Sequence, residues 1–284
     1  DAASQTCAGK CGSVANNCRQ AVDCGSCASG QTCCDGGCVD LPTDARFCGG
    51  CGIACQANER CISGVCRNCD VICTGSAAQC GSALQTALDG SKDTLYVCPG
   101  TYLGGFTINR DVTVIGAGQA TDPTQDTILD GGETLQVLRV TSGSPTLRHM
   151  HISHGSQTTS QGGGILHLGD TLTVEDVTVA DNFARDGAGI ASSGGTLVMT
   201  RCTVRDNFAN YGDAAFGGGL YLSSPATLTD CVISGNEADG FGGGLCLVAG
   251  ASPVILAGTT VIQKNEALVG GGIHTDAPWT GSLT

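Results

Sequence analysis

A repeated segment in the C-terminal half of the chain limits its folding more than any other sequence feature. Four segments share a short apolar stretch, an asparagine three or four residues later, and an alanine two positions after that. Each leads into a glycine-rich run that ends in Ile or Leu, and the asparagines lie 25, 29 and 29 residues apart. This period, with short alternating strands, is typical of a parallel β-solenoid. The four asparagines are Asn182, Asn207, Asn236 and Asn265.

The recurring asparagine has a physical explanation. In a solenoid, a residue at one repeat position lies beside its counterpart in the next coil, about 4.8 Å away. An asparagine amide donates to one neighbour and accepts from the other, as in stacked amide ladders. We therefore expect the four asparagines to form a structural ladder that satisfies the backbone of a tight turn. The glycines allow a positive φ at the next corner and a close approach of the coils.

The repeat also resembles known families. Its Asn-x-Ala segment followed by Gly-Gly-Gly-Ile or Leu is similar to the repeats of polymorphic outer-membrane proteins. Residues 97–102, 114–118 and 128–131, preceded by a helical pattern over 82–88, resemble the opening coil of pectin-lyase-like right-handed β-helices. The resemblance implies an all-β fold, a right-handed parallel β-helix over residues 73–284 with an N-terminal cap helix and about seven or eight coils.

The N-terminal part of the chain is dense in cysteine. Sixteen of the 20 cysteines lie between Cys7 and Cys80, and a Cys-x5-Cys-x4-Cys step occurs twice, at residues 27–38 and 55–66. So short a segment buries too little apolar surface to fold without cross-links. Zinc is the alternative for the Cys-x2-Cys pairs. No histidine precedes His149, however, so we favour disulfides and a disulfide-stapled head over residues 1–72.

The head also has a family resemblance. The cysteine and glycine pattern of residues 48–66 resembles the modules of the plant stigma-specific protein family. Residues 7–27 are similar to the version of this module in secreted bacterial proteins, especially those of myxobacteria. The resemblance implies a secreted bacterial protein that is extracellular or attached to the cell surface. It implies almost nothing about chemistry.

The remaining cysteines lie in or beside the solenoid. Cys202 and Cys231 share one inward column, which places them about 5 Å apart and within disulfide range. A buried reduced pair is the alternative. Cys80 and Cys98 are placed to tie the cap helix to the first coil.

Charged residues fall in outward columns. Arg148 lies beside Glu175, and a second line is mostly alternating in sign. We expect pairing between coils on a water-exposed surface, worth a few tenths of a kcal/mol per pair. The second line consists of His149, Asp176, Arg201 and Asp230.

One cluster contains residue types that support catalysis. His154, Asp181 and Asp206 stack at a coil end, with Arg205 nearby. Carboxylates at steps of about 5 Å suit Ca²⁺, or general acid and base catalysis on a uronic-acid polymer. Related β-helix lyases and hydrolases use such clusters. We favour local hydrogen bonding instead, because Asp181 and Asp206 adjoin the asparagine of a turn.

Several function classes are excluded or disfavoured. A net charge of −13 with three lysines argues against binding nucleic acid or anionic lipid. No apolar stretch approaches the roughly 20 residues of a membrane-spanning helix, so we expect no membrane insertion. His149 and His151 share a strand face that suits a metal, but separate surface histidines are the favoured interpretation. We therefore predict no metal and no cofactor, with Ca²⁺ as the alternative.

The functional prediction is a non-enzymatic extracellular protein. We expect a structural or adhesive β-helix, a self-assembling surface or filament subunit whose partners are its own copies or other cell-surface proteins. Residues 270–275 are still in repeat register before a short tail with Trp279, so the end pairs with another surface or the chain is a fragment. The alternatives are a lyase or hydrolase acting on acidic glycans, or a carbohydrate-binding module. Aromatic candidates for a sugar site are few: Tyr211, Phe216, Tyr221 and Phe241.

Overall fold

The computed structural model describes most of the chain and divides it into two compact units. The units are Asp1–Cys69 and Asp70–Thr284, three residues away from the boundary expected after residue 72. We describe each unit by itself. The described residues are 10–15, 21–27, 31–39, 41, 44, 46–56, 59–62, 64–210, 214–276 and 282–283, without the side chains of 14, 62, 282 and 283.

The first unit contains short antiparallel strand pairs held by disulfides. Cys27–Cys38 and Cys55–Cys66 close the two sequence repeats in the same way, because each joins the first and last cysteine of its Cys-x5-Cys-x4-Cys step. The zinc alternative is not supported in the described part of the head, where the cysteines are disulfide-bonded. Cys7 and Cys18 lie outside the described residues. The strand pairs are Ser13–Ala15 with Ala21–Asp23, Thr32–Cys34 with Gly37–Val39, and Glu59–Ile62 with Val65–Asn68. Further disulfides of this unit are Cys11–Cys33, Cys34–Cys51 and Cys48–Cys61.

The second unit begins with a capped helix, α1, Ala77–Leu88. The Ser76 hydroxyl accepts from the backbone N–H of Gln79, and the Gln79 side chain accepts from the backbone N–H of Ser76. Such a capping box satisfies donors that a helix N-terminus otherwise leaves free. Leu84 and Leu88 are buried on the inner face.

The expected pairing of Cys80 with Cys98 is wrong. Cys80 lies in the first turn of α1 and is bonded to Cys73, whose Cα is 4.9 Å away. Cys98 is disulfide-bonded too, to another cysteine. The helix is therefore tied to the segment that directly precedes it.

Parallel sheets form the rest of the unit, and they wind into a solenoid of about six turns. This confirms the all-β solenoid, with fewer turns than the seven or eight expected. A 13-stranded sheet contains Thr94–Tyr96, Gly100–Leu103, Thr113–Ile115, Thr127–Asp130, Thr146–Ser153, Thr171–Ala180, Thr196–Thr200, Thr203–Arg205, Ala226–Thr229, Val232–Ser234, Val254–Ala257, Val261–Gln263 and Ser282–Leu283. A seven-stranded sheet contains Phe106–Ile108, Leu138–Val140, Ile165–His167, Ile190–Ser192, Leu220–Leu222, Leu245–Leu247 and Ile273–Thr275. A five-stranded sheet contains Ser156–Gln161, Phe183–Asp186, Phe208–Ala209, Glu237–Phe241 and Glu266–Val269.

The core runs along the inside of the coils. Strand register stacks like positions on one another, so that Met150 lies beside Val177 and both are fully buried. Burying one such side chain contributes about 1.5–3 kcal/mol. A second, smaller core consists only of alanines, which explains the alanine that follows each repeat asparagine. Its buried members are Ala184, Ala188, Ala209, Ala215 and Ala238.

Candidate functional site

The four repeat asparagines are brought together in one ladder. The Nδ2 atoms of Asn182, Asn207 and Asn236 each donate to the Oδ1 atom of the next asparagine at 2.9 Å, ending at Asn265. Each Oδ1 that accepts in this ladder also accepts the backbone N–H of the preceding asparagine, and the Oδ1 of Asn182 accepts the backbone N–H of Gly155. Each Nδ2 also donates to a backbone carbonyl. The hydrogen-bonding groups of the ladder are used within the fold, which makes it structural.

The alternating charged line lies where the long strands bend. His149, Asp176, Arg201 and Asp230 all have φ between 51° and 55°. The Arg201 guanidinium donates to both carboxylate oxygens of Asp176, at 2.8 and 2.7 Å. Asp230 accepts from the backbone N–H and hydroxyl of Thr259 instead, which lower the pKa of its carboxyl. Arg148 and Glu175 form an ion pair, with Nε of the arginine 2.9 Å from Oε2 of the glutamate.

The second turn column contains the predicted catalytic cluster. His154, Asp181 and Asp206 have φ of 53°, 56° and 54°, the left-handed conformation of a turn. Arg205 Nη1 lies 2.6 Å from Asp206 Oδ2 and 3.8 Å from Asp181 Oδ2. His154 Nδ1 is 3.1 Å from Asp130 Oδ2, a partner that the sequence did not indicate. The structure therefore brings Arg205 to both aspartates and turns His154 toward a third.

A groove that the sequence did not indicate lies on the outside of the 13-stranded sheet. Its volume is about 380 Å³, and its floor is the column of His151, Thr178 and Thr203, with Arg205 at one side. Its wall is residues 119–121, part of the segment that connects Thr113–Ile115 to Thr127–Asp130. In a later coil only residues 201 and 202 separate the corresponding strands, so this longer connection is the sequence signal for the groove.

His151 is more deeply buried than Thr178, the other buried polar residue of the groove floor. Its Nδ1 lies 3.2 Å from the carbonyl oxygen of Gln119, and its exposure is only 2%. Burial lowers the pKa of His151, so the ring is neutral at neutral pH. His149 instead lies near Asp176, with Nδ1 3.9 Å from Oδ2. The two histidines thus face different partners, and the arrangement does not support a shared metal site.

Comparison with known proteins identifies families that the two parts of the chain resemble. A family model described as the right handed beta helix region matches residues 122–263, which is half of the chain. The chain belongs to this family. A second model, the stigma-specific STIG1-like protein family, matches residues 1–69, so the head is similar to that family. No curated protein and no solved structure matches the chain.

The β-helix encloses three free thiols: Cys202, Cys231 and Cys246. The disulfide that the sequence allows between Cys202 and Cys231 is not formed here. Cys202 Sγ donates to the carbonyl oxygens of Val174 and Thr200 at 3.3 Å, and Cys231 Sγ donates to that of Thr229. The adjacent Cys231 side chain and burial raise the pKa of Cys202, and burial raises the pKa of Cys246 to about 12.

A polar chain also runs inside the β-helix. His167 Nδ1 lies 2.9 Å from the Ser192 hydroxyl, which lies 2.8 Å from the Ser224 hydroxyl. His167 Nε2 is buried without a hydrogen-bond partner. Burial lowers the pKa of His167, so this ring is neutral at neutral pH. Because all three residues are closed to solvent, they support no reaction on an external substrate.

Aromatic contacts line the glycine corner of the β-helix. Phe216 and Phe241 stack with ring centroids 5.3 Å apart, and Phe241 contacts His274 at 4.7 Å. Phe183 and Phe208 form a separate edge-to-face pair at 5.8 Å. Of the residues named from sequence, Tyr211 and Trp279 lie outside the described residues.

No helix within the described part of the chain has the length and apolar character needed to cross a membrane.

Proposed function

We propose that this chain is an extracellular β-helix protein with a structural and adhesive role, which acts by binding and not by catalysis. The disulfide-rich head supports an oxidising, extracellular location, since such cross-links persist outside the cytosol. The similarity of residues 1–69 to the stigma-specific family supports the same location. The β-helix supplies a long, regular surface for contacts.

The observation that carries the proposal is the local use of the predicted catalytic cluster. A glycosidase places two carboxyl groups on either side of the scissile bond, with space for the substrate between them. Here the Arg205 guanidinium lies against Asp206 and near Asp181. Ca²⁺ would have to displace this guanidinium to bind the same pair. The cluster therefore supports turn formation better than it supports chemistry.

The experiment for this proposal compares cleavage with binding. Purified protein is incubated with polygalacturonate and with a neutral polysaccharide, with and without Ca²⁺. We expect no new reducing ends and no unsaturated uronides above the protein-free blank, together with protein that sediments with one of the polymers. Release of products, lost in Asp181→Asn, would replace this proposal with an enzyme.

Self-association is the second part of the proposal. Leu268 is 68% exposed and Val269 is 44% exposed, and neighbouring apolar side chains this exposed favour contact with another protein surface. Light scattering and electron microscopy of the 28.4 kDa chain test this, and we expect species larger than the monomer. Leu268→Asp should reduce them, whereas Leu135→Asp, at another exposed leucine, should not. A monomer at all concentrations would contradict self-association.

A polysaccharide lyase or hydrolase is the second candidate function. The groove favours it, because a neutral histidine and an arginine line the same cavity. A neutral imidazole is a suitable general base, and a guanidinium stabilises developing negative charge. The cleavage experiment above distinguishes the two candidates, since only an enzyme gives products that His151→Gln abolishes.

A further inference from the structure

The groove at His151 has the features of a built binding site. Its floor consists of three side chains stacked on adjacent parallel strands, so their spacing is fixed by backbone hydrogen bonds. The floor residues are His151, Thr178 and Thr203. The wall is held to the floor by the contact between the Gln119 carbonyl and His151.

The tautomer of His151 sets what the groove offers to a ligand. A carbonyl oxygen only accepts hydrogen bonds, so the proton lies on Nδ1, which donates to Gln119. The contact with Gln119 is the one hydrogen bond of the His151 ring among the described residues, so Nε2 is then a bare acceptor. Burial lowers the pKa of His151, which keeps this nitrogen unprotonated at neutral pH. The missing partner is therefore a hydrogen-bond donor.

The charges around the groove disfavour an anion. Among the described residues, Arg205 is the one cation that lines the groove, and it already lies against Asp206 and near Asp181. A ligand carboxylate would therefore approach two carboxylates along with the guanidinium, on a chain of net charge −13. A carboxylate also cannot donate to Nε2 of His151. A neutral hydroxyl can donate to Nε2 and accept from the guanidinium or from a threonine.

A second cavity continues the surface along the strand direction. It has a volume of about 460 Å³ and is lined by Glu133, His154, Gly155, Ser156, Asp181 and Phe183. Thr178 of the groove and Asp181 of the second cavity are three residues apart in the chain, or about 10 Å. A half-buried phenylalanine beside carboxylates offers a ring for the C–H face of a sugar and acceptors for its hydroxyls.

We propose that the two cavities form one binding site for a neutral oligosaccharide. One sugar unit lies in the groove, with a hydroxyl that donates to His151 Nε2 and others that bond to Thr178 and Thr203. A further unit lies over Phe183. This inference deepens the proposed adhesive function, on which it rests, by naming an uncharged, hydroxyl-rich ligand. Binding is non-covalent and requires no metal.

Titration of the full chain with defined sugars tests the proposal. Calorimetry and ¹⁵N-edited histidine spectra are recorded with neutral β-linked trisaccharides and with trigalacturonate. We expect a neutral trisaccharide to bind and to shift the Nε2 resonance of His151, while trigalacturonate binds at least tenfold more weakly. Thr178→Val and Thr203→Val remove one hydroxyl each with little change in shape, and each should weaken binding about fivefold to tenfold.

A matched control lies on the same strand as Thr178. Thr173 also points partly to solvent, but it lies outside both cavities, so Thr173→Val should leave sugar affinity unchanged. Tighter binding of trigalacturonate, or equal effects of Thr173→Val and Thr178→Val, would overturn the proposal. The proposal is also overturned if no sugar binds at concentrations up to about 10 mM, because a dissociation constant above this value is too weak for a useful site. If Thr178→Val no longer binds the trisaccharide but still self-associates, sugar binding at this site and self-association are independent properties of the protein.

Discussion

At the scale of single residues, the molecule depends on a few polar side chains enclosed in its interior. The asparagine ladder is the main example, because Asn207 and Asn236 are completely buried. A buried polar group left without a partner costs about 1–3 kcal/mol. Every rung of the ladder therefore has a direct effect on the stability of the coils beside it.

Asn207→Ala tests this dependence. The change removes the Oδ1 atom that accepts from the side chain and backbone of Asn182, and it removes the side-chain donor to the Arg205 carbonyl. We expect the free energy of unfolding to fall by about 3 kcal/mol in urea denaturation. The exposed Asn210 provides the control, since Asn210→Ala should change stability by less than about 0.5 kcal/mol. Equal effects of the two substitutions would show that the ladder contributes little.

His167 gives a pH dependence of stability with a defined sign. Its pKa in the folded protein is lower than the usual 6.5 because the ring is buried. Between the two pKa values the unfolded chain binds the proton and the folded protein does not, so stability decreases as pH falls below about 6.5. The expected slope approaches 1.4 kcal/mol per pH unit for each proton excluded.

The measurement is the free energy of unfolding at pH values from 7.5 to 5. His151, also buried, contributes in the same direction, with Arg205, Asp181 and His154 as the charged and titratable groups that act on it. His167→Asn should reduce the slope, whereas a slope that is identical in the variant would contradict this assignment. The Ser192 hydroxyl remains available to the asparagine side chain.

At the scale of elements, adjacent coils place like positions side by side. Cys202 begins the segment that leads into Thr203–Arg205, and Cys231 occupies the same place before Val232–Ser234. Both sulfurs are buried, and both donate to carbonyl oxygens of neighbouring strands. Stacking thus produces a thiol pair without requiring a cross-link.

Alkylation followed by mass spectrometry tests the state of these thiols. Among the described cysteines we expect three free thiols in unfolded, unreduced protein, those of Cys202, Cys231 and Cys246. We expect little alkylation of these in folded protein at pH 8, because all three are buried and the pKa of Cys202 and of Cys246 is raised. Cys231→Ser keeps the size of the side chain and should lower the count by one. A count of one in the unreduced, unfolded protein would instead demonstrate a Cys202–Cys231 disulfide.

At the scale of the whole molecule, the two units rely on different sources of stability. In the described part of the head, the buried apolar side chains are four cysteines and Val39. The second unit has a core that extends from Val71 to Leu256. Covalent links therefore hold the first unit, while burial and strand pairing hold the second.

Reduction of the disulfides should separate the two units in stability. After treatment with a thiol reductant, we expect backbone amides of Thr32–Cys34 and Glu59–Ile62 to lose protection from hydrogen exchange. Amides of Thr171–Ala180 should keep theirs, because no disulfide lies within the coils around them. Simultaneous loss of protection in both units would contradict independent stabilisation.

The sequence by itself determined the parallel solenoid, the asparagine ladder and the charged columns. These features follow from a fixed period, because residues one repeat apart must become neighbours on adjacent strands. The cysteine density likewise indicated disulfides, but the spacing left their connectivity open, and the structure shows that Cys27–Cys38 and Cys55–Cys66 occupy equivalent positions of the repeat. The sequence did not determine the disulfide partner of Cys80, because that partner depends on where the first turn of the helix lies.

Only the tertiary structure decided the groove and the partners of the turn residues. The wall at Gln119 belongs to a connection that breaks the period, so no counterpart in the other coils reveals its position. His154 likewise lies against Asp130, in the preceding coil, instead of forming a cluster with Asp181 and Asp206. A repeat fixes which backbone positions meet, but the rotation of each side chain and the path of an irregular loop depend on packing in three dimensions.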